Sequence, residues 1–400
     1  MSVEHRPVTT TTGVHRLSFL DGLRGLAAVY VVISHIWDTV FAQHLPADQR
    51  LRSLTAFLGF GRYAVALFIV VSGFSIGLGA WKGGLRWPGG TRTYLVRRFM
   101  RIWPPYAVAV ILSSLLALTV LSSKDGTLFD GANSIRASGV VTHLLMIQDI
   151  HWAGPAGSTA FWSIPVEFHI YLFFLLVLVL VRRSIGSWAI VAAGLVALTG
   201  IVAALPSVAV AHWIYGLSPS LYALFVIGFA ASESAAGGRA GVQFDARRWH
   251  RAVLGLGGLG ALVILADHAH WIPLSPLNDL VLGPLFAFTI TQLVRGRWQP
   301  LQRLLSSRGA VWLGDSSYSL YLSHAVVIEI VWRVAVAPVT RLTALRLVLE
   351  LLLGTAASVL VARVFYACVE RPFLRGRTLL AGPNRAPQGV SRAQPERAVA

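Results

Sequence analysis

The sequence predicts an all-α protein that crosses a membrane about ten times, and three observations lead to this prediction. Hydrophobic residues make up 55% of the 400 residues and charged residues only 13%. The mean hydropathy of the chain is +0.65. Apolar runs of about 20 residues, the length that a helix needs to cross a bilayer, recur from one end to the other. The pattern contains no internal repeat and no stretch long enough for an appended soluble domain.

The apolar runs define the predicted crossings in chain order. The segment 139–150 is apolar but short, so we expect a re-entrant or interfacial helix on the outer side; counting it as a crossing gives eleven helices instead. The first dozen residues are polar and no cleavage site follows the first run, so that run is predicted to be a retained helix rather than a signal peptide. The ten predicted crossings are 18–41, 59–80, 104–121, 160–181, 187–207, 213–233, 252–267, 273–294, 312–336 and 343–367.

Basic connections alternate with less basic ones along these crossings. Cytoplasmic loops of membrane proteins carry an excess of Lys and Arg, so both termini are predicted to be cytoplasmic. Residues 1–16 are predicted to form an N-terminal tail, 17–374 the membrane domain, and 375–400 a disordered C-terminal tail. The basic residues that carry this assignment are Lys82, Arg86, Arg92, Arg97, Arg98, Arg101, Arg182, Arg183, Arg239, Arg247, Arg248, Arg251, Arg295, Arg297, Arg303, Arg308, Arg371, Arg375 and Arg377.

The composition also disfavours several classes of function. The formal net charge of +17 would suggest a nucleic-acid partner in a soluble protein. Here the basic residues cluster between apolar runs, which favours membrane anchoring and no nucleic-acid partner. The single cysteine, Cys368, excludes an internal disulfide, and the weak H-x-H pair of His268 and His270 does not amount to a metal site. The Arg-, Ala-, Gly- and Val-rich composition is typical of a GC-rich bacterial genome, so we expect a multi-pass protein of a bacterial plasma membrane.

The first apolar run, LDGLRGLAAVYVVISH at residues 20–35, carries polar residues that are costly in a bilayer. An Asp or Arg costs about 2.5–3.5 kcal/mol at the bilayer centre on insertion scales. Arg24 and His35 are eleven positions apart, which places them on one helix face about 16 Å apart along the axis, and Asp21 falls on the same side. A histidine can accept and return a proton near neutral pH. The stripe is predicted to be functional; the alternative is helix packing with Asp21 paired to Arg24.

Two further stretches place charged residues at the start of predicted crossings. In RRFMRIWPPY, Arg98 and Arg101 are three positions apart and share one face of a helix. Paired guanidinium groups bind phosphate oxygens, although ordinary anchoring at the membrane surface explains the pair as well. In STAFWSIPVEFHIYLFF, Ser163 precedes Glu167 by one turn, and Tyr171 follows Glu167 by one turn. A glutamate beyond the first turn of a crossing requires a partner, which an Arg or His stripe would supply, although a carboxylate near a helix start that interacts favourably with the helix dipole explains Glu167 equally well.

The crossing at 312–336 carries many hydroxyl groups, in SYSLYLSH, together with a histidine and a deeper glutamate, Glu329. Tyr321 and His324 are three positions apart and can line one wall. Helix packing through serines explains the hydroxyl groups but not His324 together with Glu329. In contrast, FIVVSGFSIG in the second crossing is rich in small residues, and close helix packing is the better interpretation there.

Together these stretches resemble the acyltransferase-3 family of integral membrane acyltransferases. The resemblance rests on LDGLRGLAAVYVVISH with its Arg-x10-His spacing, FIVVSGF, RRFMRIWPPY with Arg-x-x-Arg, and FWSIPVEFHIY, with SYSLYLSH and the terminal VERPF in support. These motifs fall in the family's order and cover roughly residues 17–374. The resemblance implies transfer of an acyl group, commonly acetyl, from cytoplasmic acyl-CoA to a hydroxyl of a glycan or another sugar-bearing molecule. It implies no permanently bound cofactor.

The resemblance also implies roles for single residues. His35 matches the essential histidine and Arg24 its partner, Arg98 and Arg101 match the pair associated with acyl-CoA use, and Glu167 matches the acid of the Trp-Ser-x-x-x-Glu stretch. Pro165 and His169 depart from the family's pattern, so the local start of that helix is expected to differ. The residues predicted to line the substrate cavity are Asp21, Ser163, Tyr318, Tyr321 and His324.

These expectations combine into a hypothesis of a cavity lined by the first, fourth and ninth crossings and open to the cytoplasm. The arginine pair would hold the CoA phosphates, and His35 would act either as general base or as a transient acyl carrier. The acceptor is a cell-envelope glycan or glycolipid, or a macrolide-type secondary metabolite, with the lack of an appended domain favouring the second slightly. A transporter of an acylated sugar or lipid that uses the polar stripe as a proton relay is the alternative. The oligomeric state, including a homo-oligomer, is left open.

Overall fold

The computed structural model describes residues 17–380 apart from 42–47, 88, 123–134, 152–153, 185, 206–213, 215 and most of 237–274. The described residues form helices and connections without a strand, which confirms the predicted all-α class. Short 3-10 turns at Ala56–Gly59 and Thr159–Trp162 and π-turns at Trp332–Val336 and Tyr366–Glu370 adjoin the helices. The helices are α1 (Ser18–Val40), α2 (Gln49–Leu54), α3 (Gly61–Lys82), α4 (Gly90–Leu118), α5 (Ala137–Leu144), α6 (Ser163–Arg183), α7 (Ser187–Ala204), α8 (Pro219–Ala235), α9 (Ser275–Val294), α10 (Gln299–Leu305), α11 (Arg308–Asp315), α12 (Ser317–Val331), α13 (Thr343–Phe365) and α14 (Arg371–Leu380).

Seven of the described helical segments are long and apolar enough to cross a membrane, which makes the chain a membrane protein by length and composition. They comprise α1, α3, α4, α6, α7, α12 with its π-turn, and α13 with the turn that follows it. The shorter α8 and α9 coincide with two further predicted crossings. The predicted crossing at 252–267 lies almost entirely outside the described residues, so the count of ten stays a prediction.

Several boundaries differ from the expectation. Helix α4 begins at Gly90 rather than at 104, so its arginines lie on the helix itself, ahead of Pro104 and Pro105. A proline favours the start of a helix, but packing overrides that signal here, since the Tyr94 hydroxyl donates to the Tyr171 carbonyl of α6 at 3.0 Å. The crossing expected at 312–336 is interrupted at Ser316, between α11 and α12.

Two smaller segments can also be compared with the expectation. The short helix expected near residues 139–150 is confirmed as α5, which extends over Ala137–Leu144 only. Helix α14 extends over Arg371–Leu380, so the first residues of the predicted disordered tail are helical. The remainder of that tail lies outside the described residues.

Contacts between the helix ends fix the direction of each helix. The Ser34 hydroxyl near the end of α1 accepts the Gly61 N–H at the start of α3, at 3.0 Å. At the other end of the molecule, Arg182 at the end of α6 donates to the Leu85 carbonyl after α3, at 2.6 Å. We call the end that holds the start of α1 and the arginines of α4 the basic end, and the other the opposite end. That the basic end faces the cytoplasm stays a prediction.

Glycines allow two pairs of helices to touch backbone to backbone. A Cβ atom on Gly73 of α3 would lie 2.1 Å from the Phe225 carbonyl oxygen of α8, and one on Gly228 would lie 2.2 Å from the Val70 oxygen. On α1, a Cβ atom on Gly22 would lie 1.8 Å from the Leu305 oxygen. Because real Cβ atoms do not approach so closely, a larger residue at these positions would force the helices apart.

Candidate active site

A cavity of about 240 Å³ lies between α1, α3, α4, α6 and α12. The hypothesis from the sequence names the first, fourth and ninth crossings, and the structure adds the second and third. Its wall combines three arginines, a glutamate and several hydroxyl groups, which is a rare concentration of polar groups between membrane-spanning helices. The polar residues of the wall are Arg24, Ser72, Ser75, Arg98, Arg101, Ser163, Glu167, Tyr171, Ser317, Tyr318 and Tyr321.

Arg24 is held at the basic end of this cavity by two neighbours. Its Nη1 lies 3.4 Å from the Asp21 carboxylate, one turn earlier on α1, and its Nη2 donates to the Ser75 hydroxyl of α3 at 2.8 Å. The adjacent Gly25 lies so close to Gly314 of α11 that a Cβ atom would be 2.5 Å from the Gly314 nitrogen. The glycines of LDGLRGL therefore seat the helix start that carries Arg24, while Asp21 holds the guanidinium without lining the cavity itself.

Glu167 and Tyr171 form the wall contributed by α6. The Tyr171 hydroxyl, one turn after Glu167, donates to the Glu167 carboxylate and is within hydrogen-bond distance of the Ser72 hydroxyl, 2.7 Å away on α3. The Arg98 guanidinium of α4 lies over the Tyr171 ring, 5.4 Å from its centroid, in a cation–π arrangement. A carboxylate, a phenol and a guanidinium from two helices thus share one wall.

Arg98 and Arg101 face the cavity without a carboxylate partner. Neither guanidinium lies within 4.0 Å of an acidic group in the part of the chain that the structure describes, and the buried Arg98 Nε has no hydrogen-bond partner there. Arg101 nevertheless experiences the field of Glu167 and of the buried Glu370, whose carboxylate accepts the Ser319 hydroxyl at 2.6 Å. Two guanidinium groups without an ion-pair partner in a cavity form a ready site for an anion such as phosphate.

Helix α12 closes the cavity with hydroxyl groups. The Tyr321 hydroxyl lies 2.8 Å from the Ser163 hydroxyl at the start of α6. The Tyr318 hydroxyl donates to the Ile102 carbonyl of α4 at 2.9 Å. These bonds tie three helices together at the point where the cavity ends, and they satisfy hydroxyl groups that would otherwise be costly inside a membrane.

His324 follows Tyr321 by one turn, and its ring is fully buried behind the end of the cavity. Its Nδ1 lies 2.8 Å from the Tyr321 carbonyl and 3.1 Å from the Leu320 carbonyl. Carbonyl oxygens only accept, so Nδ1 carries the proton and Nε2 presents a lone pair, which has no partner among the described residues. The ring of His35 lies against this histidine, with the ring centroids 5.0 Å apart.

The structure brings together most, but not all, of the residues that the sequence singled out. Arg24, both arginines of α4, Ser163, Glu167, Tyr318 and Tyr321 line the cavity. Asp21 lies one step outside the wall, behind Arg24. His35 and His324 also lie outside it, as a pair beyond Tyr321, with the His35 Nδ1 4.0 Å from the Asp38 carboxylate.

Sequence reasoning missed Ser72 and Ser75, because it assigned FIVVSGFSIG to helix packing alone. On a helix at 100° per residue, Ser72 and Ser75 lie about 60° apart, while Gly73 and Gly77 lie on a face roughly opposite to them. The structure uses both faces: the glycines contact α8 and the serines line the cavity. Plotting the motif around the helix would have separated the two sets.

A further buried histidine, His143 of α5, shows a structural role. It lies outside the membrane-spanning helices, its Nδ1 donates to the Gly139 carbonyl at 2.8 Å, and burial lowers the pKa of its ring. Among the described residues no group of three or more His, Cys, Asp or Glu side chains could hold a metal ion. His268 and His270 lie outside the described residues.

Comparisons with known proteins agree with the resemblance that the motifs suggested. The family model for the acyltransferase domain of acyltransferase-3 type matches residues 17–367. A curated relative, "Acyltransferase MdmB" from Streptomyces mycarofaciens, is 33% identical over 176 residues. That match covers 42% of this chain and 41% of the relative, so the chain spans about two fifths of the relative's length. No solved structure matches the chain.

Proposed function

Because the chain belongs to the acyltransferase-3 family, we propose that it is a membrane-bound O-acyltransferase. In this proposal it moves an acyl group, commonly acetyl, from acyl-CoA at the cytoplasmic basic end to a hydroxyl of a sugar-bearing acceptor. The observation that carries the proposal is one cavity in which Arg98 and Arg101 have no carboxylate within 4.0 Å among the described residues, and whose wall residue Tyr321 lies one helical turn from His324.

The arginine pair supplies the site for the coenzyme. CoA is an anion because of its phosphates, and guanidinium groups that are not already paired bind phosphate strongly and in a fixed geometry. Arg24 already contacts Asp21 and Ser75. Its role in the proposal is therefore to stabilise charge in the cavity, while Arg98 and Arg101 bind the CoA phosphates. The pantetheine arm would then run along the hydroxyl groups of Ser163 and Tyr321 toward His35.

His35 is the base in this proposal. One of its ring nitrogens takes the proton of the acceptor hydroxyl as the oxygen attacks the thioester carbonyl. The C–S bond breaks, the CoA thiolate leaves, and the imidazolium returns its proton to the thiolate, so that the products are the ester and CoA. A transient acyl-histidine followed by transfer to the hydroxyl gives the same balance. The unprotonated Nε2 of His324 has no hydrogen-bond partner among the described residues, and the His35 ring lies 5.0 Å away, so in either route this nitrogen would accept a hydrogen bond or a proton from His35.

The acceptor is either a cell-envelope glycan or glycolipid or a macrolide-type metabolite, and the membrane is the plasma membrane of a bacterium. The bacterial origin of the matched relative supports the location. An acyl-transfer assay distinguishes the candidate acceptors. A methyl glycoside, a lipid-linked disaccharide and a glycosylated macrolide are each incubated with radiolabelled acetyl-CoA and membranes that contain the chain.

We expect a labelled ester with at least one of these acceptors and none with membranes that lack the chain. The alternative function, a transporter of an acylated sugar or lipid, predicts a different result. In that case labelled, pre-acylated acceptor crosses the membrane in a chain-dependent manner, while no new ester forms from acetyl-CoA. That outcome would reject the enzymatic proposal.

A further inference from the structure

A second cavity, also of about 240 Å³, lies at the opposite end of the molecule between α3, α7, α8 and the turn before α6. Its wall includes Arg62, Trp162, Val202 and Ser218. Arg62 follows the first residue of α3, Val202 lies in the last turn of α7, and Ser218 precedes α8. All of these positions are at the end of the helix bundle that is remote from Arg98 and Arg101.

The second cavity has a charged residue in its wall, Arg62, and a buried carboxylate fixes its orientation. Arg62 donates two hydrogen bonds to the fully buried Asp279 of α9, from Nη2 to Oδ2 at 2.7 Å and from Nε to Oδ1 at 3.3 Å. The buried Ser220 hydroxyl donates to the same carboxylate at 3.3 Å. A two-point ion pair with a buried carboxylate holds the guanidinium in one orientation, which prepares it to meet a ligand without loss of further freedom.

The wall of the second cavity also contains an aromatic residue. Trp162 lines the second cavity, is 38% exposed and belongs to the turn that leads into α6. A pyranose ring has a face of C–H groups and a rim of hydroxyls. An indole can cover the C–H face while guanidinium and hydroxyl groups elsewhere in the same cavity wall bond to the rim. The combination of Trp162, Arg62 and Ser218 therefore suits a sugar better than an aliphatic or strongly anionic ligand.

The two cavities are neighbours at the start of α6. Trp162 lines the second cavity and its chain neighbour Ser163 lines the first, where it meets Tyr321. On the other side, the bond from the Gly61 N–H to the Ser34 hydroxyl joins the neighbours of Arg62 and His35. The second cavity therefore lies at the depth of His35, and the arginine pair of the first cavity lies toward the basic end.

We infer that the second cavity is the subsite for the sugar of the acceptor, so that the acceptor and acyl-CoA enter from opposite ends of the helix bundle. This inference rests on the proposed acyltransferase function. It narrows that function, because the acceptor is then modified from the side opposite to the CoA. The hydroxyl that receives the acyl group reaches His35 past Ser163 and Trp162.

Kinetics of cavity variants test this subsite. Trp162→Ala removes the aromatic wall, and Val202→Phe fills part of the cavity from α7. We expect each to raise the KM for the acceptor at least tenfold and to leave the KM for acetyl-CoA within twofold. Trp312→Ala is the matched control, since Trp312 is also partly exposed, at 45%, but lies on α11 near the basic end. An unchanged acceptor KM in both cavity variants would overturn the inference.

A second measurement requires no turnover and uses the single native cysteine. Cys368 is exposed and lies on the π-turn before α14, at the basic end. A Ser218→Cys substitution in a Cys368→Ser background places the only thiol at the second cavity. We expect a membrane-impermeant thiol reagent to label this variant in intact cells, and not the native chain. The sugar acceptors of the assay should slow that labelling.

The outcomes separate the two proposals. If no acceptor is acylated by the wild-type chain, the proposed function fails, whereas the labelling result still decides whether the second cavity binds sugar. If an acceptor is acylated but neither the cavity variants nor the labelling rate responds to it, the subsite is wrong and the function stands. Labelling of Cys368, and not of the Ser218→Cys variant, from outside would reverse the assigned ends and overturn the inference.

Discussion

The first cavity and the contact between α12 and α13 both place carboxyl groups among membrane-spanning helices, but the surroundings of these carboxyl groups differ. In the cavity, Glu167 accepts the Tyr171 hydroxyl and shares its wall with three arginines. At the contact between α12 and α13, Glu350 of α13 is fully buried, and neither carboxyl oxygen has a hydrogen-bond partner among the described residues. The Glu350 side chain packs against Gly354, next to Ile36 of α1.

The difference shows that polarity within a membrane span is not by itself a sign of function. Glu329 of α12 is buried too, but it accepts a hydrogen bond from Arg333 one turn later at 2.5 Å. This ion pair offsets the cost of burying the charge and explains Glu329 without a catalytic role. A catalytic carboxylate needs both a partner and open space for a substrate, and in the described part of the chain Glu167 has both.

His35→Ala is expected to lower acyl transfer by at least about 10³-fold, because general-base or covalent catalysis contributes on the order of 10²–10⁴ and no residue that lines the cavity itself carries an imidazole. The measurement is labelled ester formed per mole of chain in membranes. His151→Ala, at an exposed position after α5, is the control and should keep wild-type activity. Normal transfer by the His35 variant would exclude both versions of the mechanism.

Glu167→Gln is expected to lower kcat about 100-fold, since the amide keeps the size of the side chain but removes the negative charge that faces Arg98, Arg101 and Tyr171. The KM for acetyl-CoA should change less than kcat, because loss of an acidic neighbour does not weaken arginine binding to phosphate. Steady-state kinetics at saturating acceptor measure both. A variant with full kcat would place Glu167 with the structural carboxyl groups of α12 and α13.

Arg98→Gln and Arg101→Gln are each expected to raise the KM for acetyl-CoA about tenfold or more, because hydrogen bonds to charged groups contribute roughly 1.5–3 kcal/mol. Arg92→Gln, on the exposed start of the same helix, is the matched control and should leave this KM unchanged. Varying acetyl-CoA at fixed acceptor gives the value. Equal effects of all three substitutions would indicate general anchoring at the membrane surface rather than coenzyme binding.

Glu350→Gln is expected to have the smallest effect, with activity within twofold of wild type and thermal stability unchanged or higher. A buried carboxyl group without a partner is costly to ionise, and an amide of the same shape removes that cost. Unfolding of the purified chain in detergent, followed by tryptophan fluorescence, measures the stability. A large loss of activity would mean that Glu350 takes part in catalysis despite having no hydrogen-bond partner among the described residues.

The local sequence was sufficient for much of the site. The continuous helix of α1 and the spacing of Asp21, Arg24 and His35 follow from helical periodicity, and the structure forms that helix over Ser18–Val40. The pairs Arg98/Arg101 and Glu167/Tyr171 are likewise local, since residues three or four apart share a face of any helix. Local spacing, the class of the fold and the family follow from the order of residues alone.

Only the tertiary structure decided which of these faces meet. Arg24 finds Ser75 and Tyr171 finds Ser72 across helices, His35 lies against His324, and Trp162 opens onto a different cavity from Ser163. Such contacts join residues between 51 and 289 positions apart in the chain. They depend on how closely the helices approach, which the backbone contacts at Gly25 and Gly73 set through the packing of whole helices rather than through any local pattern.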